Sequence, residues 1–108
     1  MINPLKLQEM LSQATQMQEE VQRKLGQTVV EGTAGGGAVT ATMNGRKQLI
    51  RIRIEPAAVV SLGGSAADVE MLEDLIVAAV NEAGRKADEA AQSSVKGILG
   101  GLNLPGLG

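Results

Sequence analysis

The stretch that most constrains this chain is Ala38 to Ile54, AVTATMNGRKQLIRIRI. It reads as a β-hairpin. Asn44-Gly45 is a strong two-residue turn signal, because a type I′ turn needs positive φ at both central positions and Asn and Gly tolerate it best. In that register Met43 faces Arg46, Ala41 faces Gln48 and Val39 faces Ile50. One face of the ribbon collects Val39, Ala41, Met43, Ile50, Ile52 and Ile54. The other collects Thr40, Thr42, Lys47, Leu49, Arg51 and Arg53. A four-residue loop keeps these faces, whereas a three-residue loop scrambles them. The apolar face needs a cover, and the opposite face is basic.

The basic face stands out against an acidic chain. Net charge over 108 residues is −2. Residues 27–55 carry Arg46, Lys47, Arg51 and Arg53 against Glu31 and Glu55, a net of +2, while residues 56–108 carry a net of −4. Arginines flanked by Thr40 and Thr42 suit phosphate oxygens, and a dimer presents two copies. Lys and Arg on an exposed strand also block edge-to-edge aggregation, a purely structural use of the same residues. The bulk charge gives no support to a nucleic-acid partner, so that reading rests on local charge alone.

Catalysis finds little to work with. There is no Cys and no His, which removes thiolate ligands, the commonest general base and the commonest metal ligand. No nucleophile–base pair, metal-ligand set, cofactor site or small-molecule site is visible. Glu70, Glu73 and Asp74 cluster where a helix dipole favours carboxylates without any catalytic need. The absence of Phe, Tyr and Trp removes stacking platforms for single-stranded nucleic acid. It also forces a core of Leu, Ile, Val, Met and Ala. No apolar run nears the ~18–20 residues of a membrane span, and no charged-then-apolar leader opens the chain. A soluble cytoplasmic protein without a membrane role is expected.

Two helices offer the cover. Asn3-Pro4 is a good helix start, and Gly26 suits the left-handed position past the end. Between them Leu7, Met10, Leu11, Ala14, Met17, Val21 and Leu25 form one stripe. Met10, Met17 and Met71 are read as ordinary core filling. A first strand is expected over 27–33, and Gly35-Gly36-Gly37 as a strand-to-strand connection, since a phosphate loop would lead into a helix. Glu55-Pro56 ends the third strand, and Ala57 to Leu62 is a turn or brief apolar segment. Ser65 and Asp68 match a capping box for a helix from Ala66 to about Lys96. Its stripe includes Leu72, Leu75, Ile76, Ala79, Val80, Ala83 and Ala87, bulky first and alanine-only later. A helix of ~45 Å outreaches a compact domain of radius of gyration ~13 Å, so its second half projects or meets a partner. Glu82 with Lys86 and Arg85 with Glu89 are i,i+4 pairs on its exposed face.

The expected fold is α+β, in the order α-β-β-β-α. A small three-stranded antiparallel sheet is flanked by two long helices in one domain, residues 1–96, with a flexible Gly/Leu-rich tail, residues 97–108. Two stripes exceed what one small sheet can bury, which points to a homodimer. Ile50, Ile52, Ile54, Leu72, Ile76, Ala79 and Ala83 are the core and dimer candidates.

KLQEMLSQATQMQEEVQRKL, then EGTAGGGAVTATMNGRKQLIRIRI with its following Glu-Pro, then MLEDLIVAAVNEAGRKADE and GGLNLPG run in order along nearly the whole chain. Together they resemble the YbaB/EbfC family of small bacterial nucleoid-associated proteins. The resemblance implies a homodimer with helices projecting like tweezers, a bacterial cytoplasm, and binding to duplex DNA with a role in nucleoid organisation or gene regulation. It adds the projecting helices as a second DNA surface, with Lys6, Arg23 and Lys24 in the first and Arg85 and Lys86 in the second. Arg46, Lys47, Arg51 and Arg53 are the ribbon candidates. The extra GGSAAD between Leu62 and Val69 departs from the family pattern in a loop. The alternative reading is a non-catalytic dimeric adaptor, with Ala stripes and apolar tail binding protein.

Overall fold

The computed structural model describes residues 3–101. Helix α1 spans Pro4–Gln27, strands β1, β2 and β3 span Val29–Ala34, Val39–Asn44 and Leu49–Ile54, and helices α2 and α3 span Pro56–Leu62 and Ala66–Gly101. The strands form one antiparallel sheet in the order β1-β2-β3. This is the expected α-β-β-β-α arrangement, with α2 added where only a turn or short apolar segment was expected. Gly63, at φ 78°, closes α2 in the left-handed conformation that glycine adopts without strain.

The expected helix starts are made. Asn3 Oδ1 accepts from the Leu5 N–H at 3.0 Å, with Pro4 next. Ser65 and Asp68 cap α3 reciprocally: Asp68 N–H donates to Ser65 Oγ and Ser65 N–H to Asp68 Oδ2, each at 3.2 Å. The C-terminal end of α1 differs from expectation. Gly26 lies inside the helix and Thr28 is the cap, in extended conformation, its hydroxyl donating to Lys24 O at 2.7 Å. The Arg46 guanidinium lies where a Gly26 side chain would be. The need at Gly26 is therefore space rather than positive φ.

The hairpin register is also corrected. Asn44 N–H donates to Gln48 O at 3.0 Å, leaving Gly45, Arg46 and Lys47 as a three-residue loop. Its left-handed residue is Lys47, at φ 64°, and neither Asn44 nor Gly45 has positive φ. A three-residue loop reverses the phase of the second arm. Ile50 then forms a bulge between the Met43–Leu49 and Thr42–Arg51 pairs, and this extra residue reverses the phase again. Ile52 and Ile54 therefore still face Ala41 and Val39 across the ladder, as expected. Ile50 does not join them and is 56% exposed.

The core lies between this sheet face and α3. Val39, Ala41 and Met43 of β2 are buried against Ala79, Ala83 and Ala87, with Leu72, Leu75, Ile76, Val80, Ile52 and Ile54 packed around them. The alanines of α3, expected from Ala83 onward to project or meet a partner, thus begin as the centre of the core. Gly32 explains the fit. A Cβ there would stand 2.3 Å from Ala79 O and Ala83 N, so strand and helix backbones meet nearly in contact. Small side chains pack at native density only at such close approach.

Helix α1, expected to share in covering the sheet, contributes Leu25 at its last turn as its buried residue. Leu5, Leu7, Met10 and Leu11 are exposed. Met10 and Met71 are exposed too, so neither fills the core of the single chain as expected; Met43 does. Helix α3 runs to Gly101, past the expected end near Lys96 and through the first five residues of the expected tail. The apolar tail residues Leu102, Leu104 and Leu107 lie outside the described residues. With 36 residues in α3 and 24 in α1, the molecule measures 72 × 25 × 18 Å.

Candidate nucleic-acid interface

The sheet face turned away from α3 is built by alternation. Val30, Gly32 and Ala34 share the core side of β1, which leaves Glu31 and Thr33 on the other. The ladder then sets out two cross-strand rows: Glu31–Thr42–Arg51 and Thr33–Thr40–Arg53. Both arginines are exposed and the two β2 threonines are half-buried beside them. Two guanidinium groups and a set of hydroxyls on one rigid surface can donate to several phosphate oxygens at once. Glu31 adds a carboxylate at the β1 end of one row.

Nine of the chain's ten cations, all but Lys96, divide by what holds them. Arg53 pairs with Glu55 at 2.9 Å, Lys47 with Asp88 at 3.3 Å, Arg85 with Glu89 at 2.7 Å and Lys86 with Glu82 at 3.3 Å. The last two are the expected i,i+4 pairs of α3. Such solvent-exposed pairs are weak, about 0–1 kcal/mol. Arg46 donates from Nε to Gln22 O at 3.1 Å and has no carboxylate within 4 Å among the described residues. Arg51, Lys6, Arg23 and Lys24 likewise have no ion-pair partner among the described residues. Arg23 shares a shallow groove on α1 with Gln16, Glu19 and Glu20.

The structure therefore brings Arg51, Arg53, Thr40 and Thr42 together as expected. It sends Lys47, expected on the same face, across to Asp88 on α3. Lys6, Arg23 and Lys24 lie along α1, and Arg85 and Lys86 on α3, with Lys86 bonded to the Glu82 carboxylate that also meets the β1 edge. Two residues that shape the site were missed from sequence, and a third, Asn44, was read only as half of a two-residue turn. Gly32 brings α3 against the sheet, Asn44 shapes the loop, and Glu82 accepts from the Thr33 N–H at the β1 edge (3.3 Å). A glycine in mid-strand was the available signal for the first.

No group of three or more acidic side chains is placed to hold a metal ion among the described residues. No described helix is long and apolar enough to cross a membrane.

Fold and site define an α+β protein with long helices and an open, arginine-bearing sheet face. The model of the YbaB/EbfC DNA-binding family matches residues 3–102, and the chain belongs to that family. A nucleoid-associated protein of Acidobacterium capsulatum is 62% identical over 104 residues, covering 96% of each chain. One from Koribacter versatilis is 54% identical over 100 residues, covering 93% of this chain and 94% of its own. The crystal structure of the uncharacterized protein HP0035 from Helicobacter pylori superposes with a TM-score of 0.72. It covers 92% of this chain and 99% of that one at 18% identity, a likeness of fold. The family is one of nucleoid-associated DNA-binding proteins rather than of enzymes.

Proposed function

We propose that this protein binds duplex DNA as a homodimer in the bacterial cytoplasm and alters the path of the duplex, acting in nucleoid organisation or gene regulation without catalysis. The observation that carries the DNA contact is the pair of rows Thr42–Arg51 and Thr40–Arg53 on the open face of an acidic protein. Two copies on one dimer hold two stretches of backbone, and bridging or bending follows from their separation. The cations of α1 and α3 extend the contact. Phosphate contacts carry little sequence information, so preference among duplexes is weak and affinity falls steeply with salt.

The homodimer is supported by what the single chain leaves uncovered. Leu7, Met10 and Leu11 form a helical stripe of the kind that is normally buried, yet all three are exposed. The radius of gyration is 20.8 Å, against ~13 Å for a compact domain of this size. A second copy covers the stripe and braces the helices. Light scattering after size exclusion at micromolar concentration gives twice the 11.1 kDa chain mass. A single 11.1 kDa species would remove the dimer.

Fluorescence anisotropy of a labelled duplex at several salt concentrations tests the partner. Tight binding at low salt, weakened by Arg51→Glu and Arg53→Glu, supports the sheet face. Binding indifferent to both reversals moves the contact to the helices. No binding at low salt favours the adaptor reading, in which the exposed α1 stripe docks a protein.

A further inference from the structure

The three-residue loop between β2 and β3 touches both long helices. Gly45 N–H donates to Leu25 O at 2.9 Å and to Thr28 O at 3.0 Å. Arg46 Nε donates to Gln22 O. Of these acceptors Leu25 O lies in the last turn of α1, where it also takes the Thr28 N–H at 3.3 Å. Contact is close: a Cβ on Gly45 would stand 2.8 Å from Leu25 O. On the other side, Lys47 Nζ reaches Asp88 on α3 at 3.3 Å, and its stem passes over Gly84. The buried Asn44 side chain holds the loop in shape. Its Oδ1 accepts from the Arg46 and Gln48 N–H groups, both at 3.0 Å, and its Nδ2 donates to Gln48 Oε1 at 2.7 Å.

We propose that this loop is a brace that sets where α1 stands relative to α3, so that Arg46, Lys47 and Asp88 are positioning residues for DNA binding rather than phosphate contacts. The inference rests on the DNA-binding reading above. It divides the basic residues of the ribbon by job: Arg51 and Arg53 face outward from the sheet, while Arg46 and Lys47 are spent on the helices. The left-handed backbone at Lys47 fits this division. A three-residue hairpin loop ordinarily takes a left-handed residue at its last position, and from there the Lys47 side chain reaches Asp88.

Asp88 gives the decisive variant, because simple electrostatics and the brace predict opposite signs. Removing a carboxylate from a DNA-binding protein strengthens binding if only charge matters. Asp88→Asn also unlatches Lys47, and the brace predicts weaker binding, by about two- to fivefold, the equivalent of one exposed ion pair. Arg46→Lys keeps the charge and loses the planar donor, and it weakens binding similarly. Lys47→Gln lowers affinity but leaves the salt slope unchanged, whereas a lost phosphate contact would lower it by ~0.9 per site. The double variant of Lys47→Gln with Asp88→Asn is no weaker than either single one.

Helix position is read without DNA. The chain has no Cys, so spin labels on Gln13→Cys and Gln92→Cys report the α1–α3 distance, with labelled chains diluted into unlabelled ones to isolate pairs within a chain. The brace predicts a single narrow distribution that broadens in Asp88→Asn and in Arg46→Lys. An unchanged distribution, tighter DNA binding by Asp88→Asn, or broadening without any change in affinity overturns the proposal. A wild-type chain that fails to bind duplex at low salt overturns the DNA reading instead, while the distance measurement still tests the brace.

Discussion

Two glycines show how far a residue's meaning depends on what faces it. Gly32 meets the α3 backbone, and neither Ala79 O nor Ala83 N can yield without moving the helix. Gly32→Ala is expected to cost about 1–3 kcal/mol, a fall of roughly 4–8 °C in Tm per kcal/mol, measured by thermal unfolding at fixed protein concentration. Gly84 is buried as well, but a methyl there meets the Lys47 Cε at 3.5 Å, an ordinary contact. Gly84→Ala is expected to raise stability by about 0.5–1 kcal/mol, the helix-propensity difference between the two residues. The same substitution in one core thus has opposite signs. Asn44 is the third informative residue. Its buried side chain makes three hydrogen bonds within the loop, and Asn44→Ala leaves two backbone N–H groups without that partner. A loss of about 1–3 kcal/mol follows, read in the same unfolding experiment.

At the scale of elements, the two long helices have different tasks. Helix α3 supplies the core through Ala79, Ala83 and Ala87. Helix α1 is held by its last turn and carries an exposed apolar stripe. Leu7→Asp with Leu11→Asp adds charge where the single chain has only solvent. The pair is expected to dissociate the proposed dimer to an 11.1 kDa species with helix content retained, followed by light scattering and far-ultraviolet circular dichroism. Retention of the dimer would place the interface elsewhere on the molecule. The sheet has its own division. One face buries Val39, Ala41 and Met43, and the other presents Arg51 and Arg53 between threonines. The bulge at Ile50 makes both faces possible after a three-residue loop.

For the whole molecule, an elongated acidic chain with a local basic face is expected to bind DNA through few contacts that are used twice. Each phosphate contact contributes about −0.9 to the slope of log affinity against log salt. Arg51→Gln in a dimer removes two contacts and lowers the magnitude of the slope by ~1.8, measured by anisotropy over a salt series. A change in affinity with no change in slope would mean that Arg51 acts on structure rather than on phosphate. The same assay keeps Lys47 distinct from Arg51, since the brace gives the opposite pattern for Lys47.

Much of this was legible in the residues. Alternation placed Val39, Ala41 and Met43 opposite Thr40 and Thr42. Asn3-Pro4 and Ser65-Asp68 marked two helix starts, and Pro56 ended the third strand. These features are local, and each depends on neighbours within a few positions. The identity of the sheet's cover was legible only in part: Ala79 and Ala83 stood among the core candidates, but both long helices were expected to share the cover. The Leu and Met stripe of α1 is the more hydrophobic candidate, yet the alanines of α3 take the place. The reason is geometric: the paired Gly32 and Ala41 leave no bulk at that point of the sheet, and small residues of α3 close on it. The loop escaped sequence reading for a similar reason. Asn44-Gly45 announces a two-residue turn, but Leu25 docks against Gly45, Asn44 binds Gln48, and Lys47 takes the left-handed position. Sequence by itself determined the main elements, their order, the two faces of the ribbon apart from Lys47 and Ile50, and the family. Only the tertiary structure decided which helix is core, which apolar stripe stays open, and which basic residues face outward, because each depends on how closely two distant backbones can approach.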